Sequence, residues 1–176
     1  NNMSDLIENI FRRRSIRAYQ DKAVARETIT QLLKAAMAAP TACNSRPWEF
    51  IVVTDPTLLQ RLRYNHRTAD YNAPTAIVVC GNPARTENAA AKRFWVQDCS
   101  AATENILLAA VALGLGSVWI GLHPLNSLQR RVAEILDLPE GVVPLAMVYV
   151  GYPAEEKPPR TQYDPARVHY NRYGDA

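Results

Sequence analysis

Two groups of residues in this 176-residue chain could bind a small molecule. The first, which we call the basic cluster, consists of Arg12, Arg13, Arg14 and Arg17, with Ser15 between them. Guanidinium groups pair bidentately with phosphate oxygens, and a serine hydroxyl adds another donor. The cluster could therefore hold a phosphate group, but it could also be a solvated charged face or a nucleic-acid patch. No second basic stretch with interleaved aromatic residues supports the nucleic-acid alternative.

The second group is the loop 39–48, which reads Ala-Pro-Thr-Ala-Cys-Asn-Ser-Arg-Pro-Trp. Pro40 and Pro47 fix their backbone φ angles, while Thr41 and Asn44 carry short side chains that can bond a ligand or the nearby backbone. Rigid polar loops between regular elements are where ligand contacts concentrate. The same residue types also favour an ordinary capped turn. The loop alone therefore leaves both interpretations open.

Hydrophobic periodicity predicts the helices and strands that flank these two groups. We expect helices over 4–12, 26–38, 56–64 and 97–113, another helix starting at Asn126, and strands over 48–53, 75–80, 117–120 and 142–150. Asp55 is expected to cap the third helix, and Gly114 to end the fourth. Asn126 and Gln129 resemble a capping box. Met37 belongs to the apolar stripe of the second helix, and we assign it to the core.

The alternation of helices and strands by itself favours a parallel, doubly wound sheet. The glycine-rich fingerprint of a dinucleotide fold is missing, however, because Leu113-Gly114-Leu115-Gly116 follows a helix rather than a strand. We find no internal repeat, low-complexity tract or linker. We therefore expect a single domain over residues 1–176, in which Asn1 and Asn2 are interpreted as residues left by cloning.

Composition bounds the class of protein and its compartment. The formal net charge is +3, which is too small to indicate a nucleic-acid partner. The three cysteines, Cys43, Cys80 and Cys99, have neither zinc-site nor disulfide-framework spacing, which favours reduced thiols. We see no signal-peptide pattern and no apolar run long enough to span a bilayer. A cytoplasmic protein without membrane or nucleic-acid partners is expected.

Three stretches, taken in order, carry a resemblance to a known family. They are the run 12–19 with the basic cluster, the loop 39–48, and the run 98–121, which ends in Val-Trp-Ile-Gly. Together they resemble the FMN-dependent nitroreductase family, over nearly the whole chain. The resemblance implies an α+β sandwich with a mixed central sheet flanked by helices and a C-terminal segment that wraps onto the partner subunit. This fold replaces the parallel sheet that the alternation favours.

The resemblance also implies a homodimer with FMN bound at the subunit interface. The residues implied at the phosphate are Arg13, Arg14, Ser15, Arg17 and Arg160, with Lys157 as a second candidate. The ring and ribityl are expected to contact four residues of the other chain, Pro40, Thr41, Ala42 and Asn44. His66 is implied at the pyrimidine edge, and the backbone of the loop Trp119, Ile120 and Gly121 at the flavin N5 edge. His66 could instead be a catalytic base or simply an exposed histidine. Arg46 stands where the family commonly has Gln.

The function that the resemblance implies is an NAD(P)H-dependent flavin oxidoreductase. Hydride would pass from NADH or NADPH to FMN and then, in a ping-pong cycle, to a nitro-aromatic, a quinone or a similar electron-poor acceptor. FMN carries this chemistry, so no catalytic side chain and no metal ion is expected. Three alternatives remain open: a flavin-binding sensor or store without turnover, a specialised relative of the same fold, and a nucleic-acid module that uses the basic cluster.

Overall fold

A four-stranded antiparallel sheet lies between two layers of helices in the computed structural model, which describes residues 3–64 and 69–175. The elements are α1 (Met3–Arg12), α2 (Arg26–Met37), β1 (Trp48–Val53), α3 (Pro56–Tyr64), β2 (Thr75–Gly81), α4 (Ala89–Lys92), α5 (Trp95–Ala112), β3 (Gly116–Gly121), α6 (Asn126–Ile135) and β4 (Val143–Gly151). Short 3₁₀ turns lie at Ala42–Asn44, Pro83–Arg85 and Pro165–Arg167. Every predicted helix and strand is present within two residues of its expected bounds, and α4 is an addition.

The strand order is β1-β2-β4-β3, so β1 and β3 are the edges of the sheet. All three strand pairs are antiparallel. The parallel component of the expected mixed sheet is confined, among the described residues, to an isolated bridge between Ser15 and Ser117. This bridge places the chain that follows α1 beside the edge strand β3.

The core has two halves, one on each face of the sheet. In β2, Ile77 and Val79 face the layer of α2 and α5, while Val78 and Cys80 face the opposite layer of α3 and α6. Alternate side chains of a strand point to opposite faces, so both sets must be apolar when helices cover both faces. This explains why the central strands are almost entirely apolar in sequence.

Two local signals in the sequence are confirmed. The Asp55 carboxylate accepts a hydrogen bond of 2.9 Å from the backbone N–H of Leu58, as an N-cap does. Gly114 has φ = 72° and follows α5. The N–H of Leu115 donates to the carbonyl of Ala110 at 2.8 Å, which closes α5 with a Schellman motif.

Two other predictions are wrong. Asn126 begins α6, but no side chain caps this helix. Gln129 is instead buried, and its amide donates to the Pro144 carbonyl at 2.9 Å because that buried acceptor needs a partner. Met37 is 48% exposed, since α2 buries Leu32 and Ala36 against the core and ends with Met37 on its outer side.

Candidate functional site

The basic cluster lies on a segment held between β3 and the C-terminal part of the chain. The N–H of Ile16 donates to the Ser117 carbonyl at 2.9 Å, beside the parallel bridge that Ser15 forms with the same residue. Four residues later, Tyr19 is paired with Pro153. Backbone hydrogen bonds therefore fix the direction in which the cluster presents its side chains.

Two arginines of the predicted phosphate site connect the segment 11–17 with residues 158–160. The Arg14 guanidinium donates to the Pro158 carbonyl. The backbone N–H of Arg160 donates to the Phe11 carbonyl at 3.1 Å, directly before the cluster. Residues that are more than 140 positions apart in sequence are thus neighbours in the fold.

A carboxylate ties the same two segments together. Glu155 Oε1 accepts a 2.6 Å hydrogen bond from the backbone N–H of Arg17 and lies 3.4 Å from Lys157 Nζ. These contacts, the Arg17 hydrogen bond first, hold the pKa of Glu155 below its usual value. Lys157 Nζ also donates to the carbonyl of Ser15. Lys157 therefore lies beside the basic cluster.

The cluster keeps an excess of positive charge. Among the salt bridges of the described residues, one involves it: Arg13 Nε lies 3.8 Å from Glu104 Oε1 on α5. Partial burial raises the pKa of Glu104, and the nearby Arg13 only partly opposes that effect. The Arg17 guanidinium lies over the ring of Tyr71, 5.9 Å from its centroid. A bound anion would meet several cations here, beside the carboxylates of Glu104 and Glu155.

The predicted loop contacts a different part of α5. The backbone N–H of Ala42 donates to Asp98 Oδ1 at 2.9 Å, and the Ser45 hydroxyl donates to Asp98 Oδ2 at 3.3 Å. Asp98 is only 5% exposed. Sequence reasoning assigned no role to it, although a carboxylate in the first turn of a very apolar helix was the available signal, because charged residues are seldom buried unless paired or bonded.

The loop has an unusual backbone. Cys43, Asn44 and Arg46 all have left-handed φ angles, of 52°, 51° and 47°. Residues other than glycine adopt this conformation only at a cost, and it persists where surrounding contacts impose it. The N–H of Arg46 donates to Thr41 Oγ1 at 3.1 Å, which closes the loop on itself. The loop is therefore a shaped element rather than a flexible connection.

Trp119 and Ile120 lie within β3, as the strand predicted over 117–120 requires, and Gly121 is the last residue of that strand rather than part of a loop. All three residues pair with β4. A Cβ built on Gly121 would meet no atom within 4 Å, so open space adjoins this residue. The last residues of β3 thus present the outer edge of the sheet, on the strand that also carries the Ser15 bridge.

The structure brings some of the predicted residues together and leaves others apart. Arg13, Arg14, Ser15, Arg17 and Arg160 share one region. The loop residues meet α5 at Asp98, and the cluster meets it at Glu104, about 9 Å farther along the helix axis. Pro40 is exposed. His66 lies outside the described residues.

Two clefts follow the edge strand β1 rather than the basic cluster. One, of about 1000 Å³, lies between α2 and α3. The other, of about 740 Å³, lies at the start of β1 and includes Ser45, Arg46 and Met37. Neither cleft is lined by a residue of the basic cluster. These two clefts are therefore separate from the predicted phosphate site.

Two classes of site find no support in the part of the chain that the structure describes. It contains no group of three or more histidine, cysteine, aspartate or glutamate side chains placed to hold a metal ion. None of its helices is both long and apolar enough to cross a membrane. The basic cluster forms a positively charged edge on an α+β sandwich.

Comparison with known proteins identifies the family. Residues 10–67 and 63–152 match the model of the Nitroreductase family. A relative from Archaeoglobus fulgidus, provisionally named an NADH dehydrogenase/NAD(P)H nitroreductase, is 42% identical over 97% of this chain and 100% of its own. The chain belongs to the nitroreductase family.

Solved structures agree with this assignment. A protein from Bacteroides thetaiotaomicron, also provisionally named an NADH dehydrogenase/NAD(P)H nitroreductase, has a TM-score of 0.89 and 39% identity, over 98% of this chain and 99% of its own. An FMN-dependent nitroreductase from Clostridium difficile has a TM-score of 0.86 and 32% identity, over 95% of this chain and 99% of its own. The expected nitroreductase-like α+β fold is confirmed.

Proposed function

We propose that this chain is an NAD(P)H-dependent flavin oxidoreductase with FMN as its cofactor. Family membership supports this, as do the similar proteins named for NAD(P)H and for FMN. The observation that carries the proposal is the meeting of Arg14 and Arg17 with residues 155–160. Such a concentration of cations from both ends of the chain is suited to a phosphate monoester.

The residues fit FMN in both charge and shape. Arg13, Arg14, Arg17 and Arg160 would hold the phosphate, with the Ser15 hydroxyl as a further donor. The open space at Gly121 lets a planar ring approach the backbone closely, which a side chain at that position would prevent. The Trp119 and Ile120 backbone lies on the same strand edge. We assign these residues to the cofactor on this basis.

When bound, FMN supplies the redox chemistry, taking a hydride from a nicotinamide and passing electrons to an acceptor. The chain would bind and orient the cofactor: the arginines would hold the phosphate, and the β3 edge would align the ring. No acid or base side chain is assigned a catalytic role. An open site would let NADH or NADPH and then a nitro-aromatic or quinone occupy the same place in turn, which is a ping-pong cycle.

We further propose that the protein is a single-domain homodimer. α1 exposes four apolar side chains, 38–59% accessible: Leu6, Ile7, Ile10 and Phe11. The C-terminal segment exposes Tyr163, Tyr170 and Tyr173 as well. Apolar surface of this kind typically belongs to an interface. In the dimer the C-terminal segment would wrap onto the partner, and Pro40, Thr41, Ala42 and Asn44 would reach the partner's FMN.

The unpaired state of Cys43, Cys80 and Cys99 agrees with a reducing compartment. We propose the cytoplasm on that ground.

The test is a visible absorption spectrum of the purified protein after addition of FMN and gel filtration, followed by anaerobic addition of NADH or NADPH. We expect a retained flavin band that bleaches with at least one donor and recovers when a quinone or nitro-aromatic is added. Retained flavin that neither donor bleaches would indicate a sensor or store. Failure to retain any flavin would contradict the proposed function.

A further inference from the structure

The acidic residue in the first turn of α5 is buried without a cation. Asp98 is 5% exposed, and it takes part in none of the salt bridges among the described residues. A buried carboxylate is costly unless hydrogen bonds satisfy it. Both of its oxygens accept hydrogen bonds from the loop, one from the Ala42 N–H and one from the Ser45 hydroxyl. The loop is therefore what makes this burial tolerable.

One donor, Ala42, is the first residue of the 3₁₀ turn Ala42–Asn44, and the other, Ser45, directly follows its last residue. One carboxylate thus holds the beginning and the end of the turn that contains Cys43 and Asn44, both in left-handed conformations. Strained backbone of this kind persists only where neighbouring contacts fix it. Asp98 supplies such contacts from a rigid base, because the next residue, Cys99, is fully buried in the core under α5.

We propose that Asp98 is a positioning residue for flavin binding: by holding Ala42 and Ser45, it shapes the loop that presents Thr41 and Asn44 to the cofactor of the partner subunit. This inference rests on the proposed function for its ligand. The shape of the loop does not depend on that assignment. Asp98 itself contacts the loop, not the cofactor.

The first measurement is FMN affinity in a graded set of variants, by quenching of flavin fluorescence. Asp98→Ala removes both acceptors, and we expect FMN binding to weaken about tenfold or more. Asp98→Asn keeps an oxygen for the Ala42 N–H and should have an intermediate effect. Ser45→Ala removes one donor and should weaken binding only a few-fold, with no additional loss in the Asp98→Ala background, because the contact is then already absent.

The matched control is Thr103→Val. Thr103 is also buried on α5, but its hydroxyl donates to the Cys99 carbonyl within the helix, at 2.7 Å, and not to the loop. This variant should lose some thermal stability and keep its FMN affinity within about twofold. A change in affinity as large as that of Asp98→Ala would mean that damage to α5, not release of the loop, explains the result.

A second readout needs no cofactor. Cys43 is the exposed thiol of the loop, whereas Cys80 and Cys99 are buried, which raises the pKa of each to about 12. An aromatic disulfide reagent at neutral pH should therefore report on Cys43. We expect its reaction to be severalfold faster in Asp98→Ala than in the wild type or Thr103→Val, because the released loop no longer holds Cys43 against the Asn88 amide.

The outcomes separate the two claims. If the wild type retains no FMN, the proposed function fails, and the thiol rates still decide whether Asp98 shapes the loop. If the wild type binds FMN, but Asp98→Ala matches it in both affinity and thiol rate, the positioning role is overturned. Should Asp98→Ala fail to fold, Asp98→Asn and Ser45→Ala must show the graded loss in affinity and the faster thiol reaction, and wild-type values in both would overturn the role.

Discussion

The basic cluster and the loop 39–48 are two different kinds of surface for the same proposed ligand. The cluster is charged, exposed at Arg12 and Arg17 but half-buried at Arg13 and Arg14, and bonded to the C-terminal segment at Glu155 and Pro158. The loop is largely neutral, has a left-handed backbone at three positions, and is held by one buried carboxylate. The cluster can attract an anion from a distance, while the loop can act only at contact. Charge and shape are thus assigned to separate regions.

The first way to sharpen this contrast is to remove one cation. Arg17→Ala should weaken FMN binding by about 1.5–3 kcal/mol, because it removes a charge-assisted contact to the phosphate. Fluorescence titration at low and high salt would show whether that loss is electrostatic. The wild type should lose affinity as salt rises, and the variant should lose less, since fewer charges are screened.

Arg17→Lys is the matched control, since it keeps the positive charge but not the planar guanidinium group. Its FMN affinity should lie between those of the wild type and Arg17→Ala. Asp98→Ala should leave the salt dependence as in the wild type. Unchanged FMN affinity in Arg17→Ala would remove Arg17 from the site.

An intermediate effect on FMN affinity is expected at Glu155, which connects the segment 13–17 with the C-terminal part of the chain. Glu155→Gln removes the negative charge that accepts from the Arg17 N–H and faces Lys157. The segment 13–17 should then be less well fixed, and FMN binding should weaken a few-fold. Titration of the variant beside the wild type would measure this loss. Equal affinities would show that backbone pairing to Ser117 suffices.

The Glu155 carboxylate makes its contact with Arg17 dependent on pH. The folded-state pKa of Glu155 is lowered from its ordinary value of 4.5. The stabilisation is therefore present above that ordinary value, and it is lost as the pH falls through the lower folded-state value. FMN affinity of the wild type, measured downward from pH 6, should decline toward that of Glu155→Gln. Parallel pH curves for the two proteins would contradict this role.

The smallest effect is expected at Glu104. Its pKa is raised because partial burial penalises the charge, so the ionised form contributes little stability near neutral pH. Glu104→Gln should change the melting temperature by no more than about 2 °C, since a half-exposed ion pair of 3.8 Å is weak. It should also tighten FMN binding slightly by freeing Arg13. Calorimetry and titration would check both, and a marked loss of affinity would show that Glu104 orients Arg13.

Local signals in the sequence were enough to predict the helices and strands, but not the side-chain contacts between them. Asp55 and Gly114 act within a few residues of themselves, and both predictions are confirmed. Gln129 follows the same kind of local rule, yet the Pro144 carbonyl competes for its amide. A pattern of neighbours cannot reveal a partner that only the folded chain supplies.

The site shows the same limit. The resemblance pointed to the arginines and the loop, and the structure does bring the arginines together with residues 155–160. Asp98 and Glu155 received no role, because their partners lie 56 and 138 positions away in sequence. Residues on one short segment form a recognisable sequence pattern, but side chains whose partners are distant in sequence do not.

The pairing of the first segment has a consequence for how the protein is made. Ribosomes deliver the chain from its N-terminus at about 5–20 residues per second. Ile16 and Tyr19 find their backbone partners at Ser117 and Pro153, and Arg17 finds its partner at Glu155. The arginines are thus synthesised before their partners and are fixed in place only after residues 153–155 have been made. A nascent chain that stops short of residue 155 lacks the Glu155 contact, so the proposed phosphate site is assembled only after that residue has been added.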